Sequence, residues 1–288
     1  MSPDHPGVAS APASSANLGP AFDCLALALE LRCTVTASLA DSWLVEHVGE
    51  HRPESGAPDA VLEAAQSAVG ERCPLRITVA NEIPVGRGLG SSSAAYAAGS
   101  LAAWRAVGES HPEERLFDLV SRLEGHPDNA AAAVFGGLVL ATAGGSVRRL
   151  PWNPALAVVV AVPNTTLSTK IARTALPAEY PAAVVVRSLA RASALMAGLL
   201  SGDPVLLAEA GGDELHEAPR QSMRPEVSGL IGAARGAGAF HAAWSGAGPS
   251  VLAITSVEGV ARVAEGLEAQ LGDSGIVICP RVATSGTI

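Results

Sequence analysis

The sequence predicts an α+β protein built as two lobes. Strand-like and helix-like runs interleave without the regular strand–helix–strand repeat of a doubly wound sheet. The chain has 288 residues, 48% of them hydrophobic and 16% charged, which is enough apolar material for two moderate cores. The break "RRLPWNPA" near residue 151 then separates a lobe of residues 1–150 from one of residues 151–288.

The elements follow in chain order. "LALALEL" and "RCTVTASL", together Leu25 to Leu39, are β-rich, and the second alternates. "VLEAAQSAVG" predicts a short helix closed by Gly70. "LRITVAN", Leu75 to Asn81, is a strand of period two. A helix is expected from Ser91 to Val107, and another from near Pro112. "HPDNAAAAVFGG" predicts a short helix running into a strand, "GLVLATA". In the second lobe "ALAVVVAV" is a buried-strand candidate, and "AVVVRSLARASALMAGLL" is a helix because its length outweighs its valines. "FHAAWSG", "SVLAIT" and "GIVICPRVA" predict three more strands, with a helix from Val257 to Leu271 before the last.

Bulk properties exclude several partners. A net charge of −9 without a basic block argues against nucleic acid. The four cysteines form no C-x-x-C pair and no His/Cys cluster at zinc spacing, which fits a reducing cytoplasm. The opening "MSPDHPGVASAP" has no targeting layout. The longest unbroken apolar stretch, "AAAAVFGGLVLATAGG", has sixteen residues and is too short to span a bilayer. A soluble cytoplasmic protein is expected, with no membrane partner.

Chemistry concentrates in "IPVGRGLGSSSAA", Ile83 to Ala95. Gly86, Gly88 and Gly90 permit positive φ and close backbone approach. Ser91, Ser92 and Ser93 open a helix, where unpaired N–H groups and the positive end of the helix dipole attract anions. The alternative is a plain tight turn. Commoner phosphate loops do not fit. The chain's only lysine is Lys170, so no lysine follows the glycines, and their spacing is G-x-G-x-G rather than G-x-G-x-x-G. A G-x-S-x-G nucleophile elbow is also missing, which weakens a serine-hydrolase reading.

The pattern P-x-G-x-G-L-G-S-S-S-A resembles the ATP loop of the GHMP kinases. "APASSANLGPAFDCLALAL", "EGHPDNAAAAVFGGLVL", "LSTKIARTALP", "DELHEAPR" and "SGAGPSVLA" follow in family order and resemble, more specifically, the homoserine kinases across nearly the whole chain. The resemblance implies a GHMP kinase fold: an N-terminal lobe like the second domain of ribosomal protein S5, and a ferredoxin-like C-terminal lobe, with ATP between them. It also implies ATP-dependent phosphorylation of the L-homoserine hydroxyl, a step of threonine biosynthesis, with Mg²⁺ as cofactor and a homodimer as the assembly. A related acceptor such as threonine, a specialised metabolite, or a non-catalytic regulatory role are the alternatives.

The resemblance places ATP on Pro84, Val85, Gly86, Arg87, Gly88, Leu89, Gly90, Ser91, Ser92 and Ser93. It places the amino acid among Asn17, Asp23, His126, Asn129, Thr169, Arg173 and Arg220. Guanidinium forks at Arg173 and Arg220 suit the substrate carboxylate, and Asp23 suits its ammonium. Singly, Asp23 is also a turn or cap residue, Arg220 a surface ion-pair partner, and Asp128 or Asn129 a helix cap. The implied metal ligands are Ser92 and Glu124, although the family often has a further acid where this chain has Arg122. Asn129 is the implied catalytic residue. An amide cannot serve as a carboxylate base, so orientation of the hydroxyl is expected in place of general-base catalysis. "SGAGPSVLA" is expected to turn toward the site. Two departures stand out: Asp59 and Ala60 occupy the implied adenine segment, and Ala21 replaces a glycine beside Asp23.

Overall fold

The structure, a computed structural model, describes residues 6–49, 51–53 and 55–288. The first five residues, part of the opening without a targeting layout, lie outside the described residues.

The first sheet contains β1 (Gly7–Ala16), β2 (Leu25–Leu39), β3 (Leu44–Val48), β4 (Leu75–Asn81), β5 (Leu138–Ala141) and β6 (Val147–Leu150). Its helices are α1 (Ala60–Val69), α2 (Ser91–Ala106), α3 (Glu113–Glu124) and α4 (Pro127–Phe135). The long β2 is the spine: β1 pairs along one edge, while β4 and β5 share the other. The two segments expected over Leu25 to Leu39 are thus one strand, with a bulge opposite Pro12 and Ala13 near the expected break.

The helix α2 is apolar nearly all round and buries ten of its residues, as a central helix must. Small residues let its neighbours close in. A Cβ on Gly7 of β1 would stand 2.2 Å from Ala102 O, and one on Gly99 would stand 3.1 Å from Val61 O of α1. This packing fixes the N-terminus of α2, and with it the glycine loop, against the sheet. The helix α3 ends at the left-handed Gly125, and α4 starts with Pro127 in its first turn after the N-cap His126.

The second sheet contains β7 (Leu156–Pro163), β8 (His241–Trp244), β9 (Val251–Ser256) and β10 (Gly275–Ile278), in the order β10-β7-β9-β8, all antiparallel. Between β7 and β8 run α5 (Thr169–Thr174), α6 (Ala182–Ser201), α7 (Pro204–Glu209), α8 (Glu217–Arg220) and α9 (Glu226–Gly236); α10 (Val260–Leu271) links β9 to β10. Strand order and crossings are ferredoxin-like. Alternation explains the continuous apolar run of β7. Val158, Val160 and Val162 join a buried cluster that runs through Leu195 and Leu199 of α6 and Leu207 of α7 and is continuous with the first lobe's core, whereas Val159 and Ala161 face Val227, Leu230, Val263 and Leu267 of α9 and α10.

One expectation needs correction. The strand expected over Gly275 to Ala283 stops at Ile278, because the tail leaves the second sheet and returns to the first. Glu30 N–H donates to Arg281 O, Ala283 N–H to Ala28 O, and Ser10 and Ile288 exchange backbone bonds. A lobe division at 150/151 is therefore proposed with the tail counted on the first sheet. The helix α6, 20 residues long with a mean hydropathy of 1.5 over its most apolar 18-residue window, is the one described helix long and apolar enough by composition to cross a membrane, a test that helices of soluble proteins also pass. Arg187 and Arg191 interrupt the run, so a search for unbroken apolar sequence passes it by.

Candidate active site

The glycine loop joins β4 to α2 and forms one wall of a cleft of about 620 Å³. Val85 through Ser92 line it, facing Thr166, Ser168, Thr169, Gly246 and Ala247 of the second lobe. Pro84 and Ser93 sit behind the wall, buried. Gly90 caps α2 at φ 64°, and among the described residues no side chain bonds to the open N–H groups at that helix start. No acidic residue stands in the first turn. The helix thus directs unpartnered donors and its positive dipole end into the cleft.

The glycines also serve the protein's own packing. A Cβ on Gly88 would stand 2.1 Å from Ser245 O, and one on Gly90 would stand 2.0 Å from Ser14 Oγ. The "SGAGP" turn between β8 and β9 locks onto the loop: Ser245 Oγ donates to Gly88 O at 2.7 Å, and Ser250 N–H donates to Arg87 O. The Arg87 side chain turns away from the loop's donors and clamps the carbonyls of Pro163, Val85 and Asn164.

At the α2 end of the cleft, Ser92 Oγ donates to Glu124 Oε1 at 2.9 Å. The Glu124 side chain is buried, and its Oε2 has no hydrogen-bond partner among the described residues. Burial pushes this carboxyl above its usual pKa, against the opposing effects of His126 and of hydrogen bonding. An orphaned buried carboxylate oxygen beside a serine hydroxyl is a suitable donor set for a hard divalent cation. Arg122 is exposed on the same helix. His126 lies between two acids, with Nδ1 at 2.9 Å from Asp128 Oδ1 and Nε2 at 3.6 Å from Glu124 Oε1. Burial works to lower its pKa, but the bond to Asp128 and both acidic charges outweigh it, and the net shift is upward.

Asn129 reaches the cleft from the first turn of α4. Its Oδ1 accepts from Ser14 Oγ at 2.7 Å, and the amide nitrogen has no hydrogen-bond partner among the described residues. Beyond it lies the charged cluster. The turn from Asn17 to Asp23 carries three non-glycine residues at positive φ: Asn17 (69°), Leu18 (48°) and Asp23 (55°). Asn17 Oδ1 accepts from Asp23 N–H, and its Nδ2 donates to Gly246 O. Asp23 is bound bidentately by Arg173 of α5, at 2.8 and 3.1 Å. Arg220 of α8 is buried, and it donates to Ala172 O, His216 Nδ1 and Gly246 O. It is therefore not a surface ion pair. Burial, and then the charge of Arg173, push its pKa down to about 10, still charged at neutral pH. Thr169 opens α5 on the cleft side, exposed.

Sequence reasoning missed Ser14, Phe22 and His216. The Phe22 ring lies 5.3 Å from the guanidinium carbon of Arg173 and 5.5 Å from that of Arg220, and it stacks on His216 at 5.0 Å. All three sit inside the quoted motifs, so the motifs were the available signal; their partners lie far off in sequence.

Models of two domain families match the chain: the GHMP kinases N-terminal domain over residues 57–137 and the GHMP kinases C-terminal domain over residues 195–273. The chain belongs to the GHMP kinases. This GHMP kinase is 40% identical over 260 residues to the homoserine kinase of Deinococcus radiodurans, covering 87% of this chain and 85% of that one. It is 37% identical over 289 residues to the homoserine kinase of Gloeobacter violaceus, covering 96% of each. Among solved structures it matches homoserine kinase from Cytophaga hutchinsonii with a TM-score of 0.86 and 26% identity, covering 100% of this chain and 98% of that one. The L. major mevalonate kinase, a complex with R-mevalonate, shares the GHMP kinase fold at a TM-score of 0.73 and 16% identity, covering 98% of this chain and 97% of that one.

Proposed function

We propose that this GHMP kinase is a homoserine kinase, which transfers the γ-phosphoryl group of ATP to the side-chain hydroxyl of L-homoserine and yields O-phospho-L-homoserine for threonine biosynthesis. One observation carries the reading beyond the likeness to relatives. The cleft ending at the open N-terminus of α2 meets, at Asn129 and Gly246, a cluster with the charges of an α-amino acid's counterpart: Asp23 for an ammonium, Arg173 and Arg220 for a carboxylate.

The loop N–H groups and the α2 dipole hold the phosphates of ATP. Ser92 and the orphaned oxygen of Glu124 would hold Mg²⁺. The ion, when bound, supplies charge neutralisation at the transferring phosphates. Asn129, pinned by Ser14, turns its amide nitrogen toward the acceptor hydroxyl and orients it for in-line attack. An amide takes no proton, so the hydroxyl proton leaves to a phosphate oxygen or to water. The serine hydroxyls and backbone donors of the loop then stabilise charge at the transferred group.

We place the enzyme in the cytoplasm, a reading supported by its four free cysteines. We further propose a homodimer. Val185, Val186 and Leu189, exposed on α6, support that assembly as an apolar face for a second copy.

The test is ADP release with Mg·ATP and L-homoserine, L-threonine, L-serine or no acceptor. Release dependent on homoserine, with O-phosphohomoserine detected, is expected. Stimulation by threonine alone would move the acceptor, and no stimulation by any of the three would overturn the proposal.

A further inference from the structure

The two guanidinium groups of the acceptor cluster differ in how they are held. Arg173 is anchored by a carboxylate, whereas among the described residues Arg220 donates to neutral acceptors alone: Ala172 O, Gly246 O and an imidazole nitrogen. That imidazole belongs to His216, which is fully buried at the start of α8. Arginine only donates, so His216 Nδ1, 3.0 Å from Arg220 Nη1, must accept. The ring proton is then on Nε2, where Gly19 O stands 2.7 Å away to receive it. One tautomer therefore satisfies both nitrogens, and the ring bridges the second lobe's arginine to the first lobe's strained turn. Burial holds the ring's pKa down to about 4, consistent with a neutral bridge.

The bridge is braced on every side. Asp213 Oδ2 accepts the N–H groups of His216 and Glu217, which fixes the backbone at the histidine. The Phe22 ring stacks on the imidazole with an interplanar angle of 25° while facing both guanidinium groups. Gly19 itself is closed in by His241, whose Nε2 lies 3.0 Å from Leu18 O.

We infer that His216 is a positioning residue: it ties the Arg220 guanidinium to the Gly19 backbone and thereby sets where the carboxylate of the acceptor is gripped. The inference rests on the homoserine-kinase reading. It assigns His216 no contact with substrate. Its action runs through Arg220, and it belongs to binding of the amino acid rather than to ATP or to phosphoryl transfer.

Two conservative variants separate the bonds. In His216→Asn the side-chain carbonyl can take the place of Nδ1 and still accept from Arg220, but the donor to Gly19 is lost. In His216→Gln the amide can reach the place of Nε2 and still donate to Gly19 O, but the acceptor for Arg220 is lost. Losing the acceptor for a charged donor is expected to raise the homoserine KM of His216→Gln by about tenfold or more. The KM for Mg·ATP should stay within about twofold and kcat within about threefold, as for loss of ground-state binding. His216→Asn should lie much closer to wild type. Equal effects in both variants, or a change carried by the ATP KM, would overturn the inference in favour of a packing role. Wild-type protein without homoserine-dependent ADP release would instead sink the functional reading beneath it. Should either variant fail to fold, ¹⁵N-histidine spectra of the wild-type protein decide. His216 is expected as the Nε2–H tautomer from pH 5.5 to 8, and an Nδ1–H tautomer or a titration near pH 6.5 would overturn the bridge.

Discussion

Asp23 and Arg173 form a bidentate ion pair between the two lobes, with Arg173 Nη2 2.8 Å from Asp23 Oδ1 and Nη1 3.1 Å from Oδ2. Both side chains are about one-third exposed, so the pair is open to exchange. A zwitterionic amino acid can insert between them, its ammonium taking Asp23 and its carboxylate Arg173, converting one ion pair into two. Each lost charge-assisted bond is expected to raise the homoserine KM by about 10- to 100-fold in Asp23→Asn and Arg173→Gln. The exchanged variant, Asp23→Arg with Arg173→Asp, separates binding from lobe adhesion. It restores the pair, so melting temperature should recover toward wild type, but the charges face the wrong ends of the substrate and activity should not. Recovered activity would mean that the pair only joins the lobes.

Glu124 and Ser92 predict a graded metal defect. Glu124→Gln removes the charged ligand that pairs with Ser92 and should lower kcat by about 100-fold, the scale on which a lost transition-state charge interaction acts. The Mg²⁺ concentration needed for half-maximal rate should rise as well. Ser92→Ala, a neutral ligand, should show a smaller change in the same direction. Rate measured against free Mg²⁺ at fixed ATP checks both, and an unchanged Mg²⁺ dependence in Glu124→Gln would remove Glu124 as a ligand.

The two lobes and the glycine loop were legible because their signals are local. The loop's glycines, the serines at a helix start and the alternation of Leu75 to Asn81 each sit within a few residues. The strand β1 was not legible. "GVASAPASSA" has one β-branched residue and no alternation, since its small side chains are selected by close packing against α2. The helix α9 was hidden by the three glycines of "EVSGLIGAARG". In the site, residue types were readable but partnerships were not. Arg173 was expected as a free fork, yet it pairs with Asp23 150 positions away; His216 meets Gly19 across 197 positions. Spacing in sequence carries no trace of such contacts, and only the fold creates them.

Gly88 predicts a steric defect rather than a loss of ligand contact. It has φ 74°, and a Cβ there would stand 2.1 Å from Ser245 O and 2.7 Å from Gly248 N, both backbone atoms that cannot turn aside. Gly88→Ala should therefore push the loop from the "SGAGP" turn, lowering stability by about 1–3 kcal/mol, the cost typical of overpacking, and raising the ATP KM. At Gly86 the nearest atoms are side-chain carbons of Thr166 at 3.4 Å and beyond, so Gly86→Ala should cost only the backbone strain of its positive φ. Chemical denaturation and ATP titration of the two variants check the order. Equal losses would show that the turn yields.

Glu217 predicts the pH dependence of stability. Burial, opposed by the Trp244 N–H that its Oε1 accepts at 2.7 Å, pushes this carboxyl up to about 8 from an ordinary 4.5. The folded protein then keeps a proton that the unfolded chain releases near pH 4.5. Between those values the native state binds more protons, so stability falls as pH rises, by up to about 1.4 kcal/mol per unit for one proton. Glu217's share is fully present below pH 4.5 and is lost once pH passes about 8. Glu217→Gln keeps an acceptor for Trp244 N–H and cannot ionise. It should lose this slope and exceed wild type in melting temperature at pH 8, with the difference shrinking toward pH 5. Melting curves at half-unit intervals from pH 5 to 9 check this, and parallel profiles for the two proteins would show that Glu217 is already ionised in the fold.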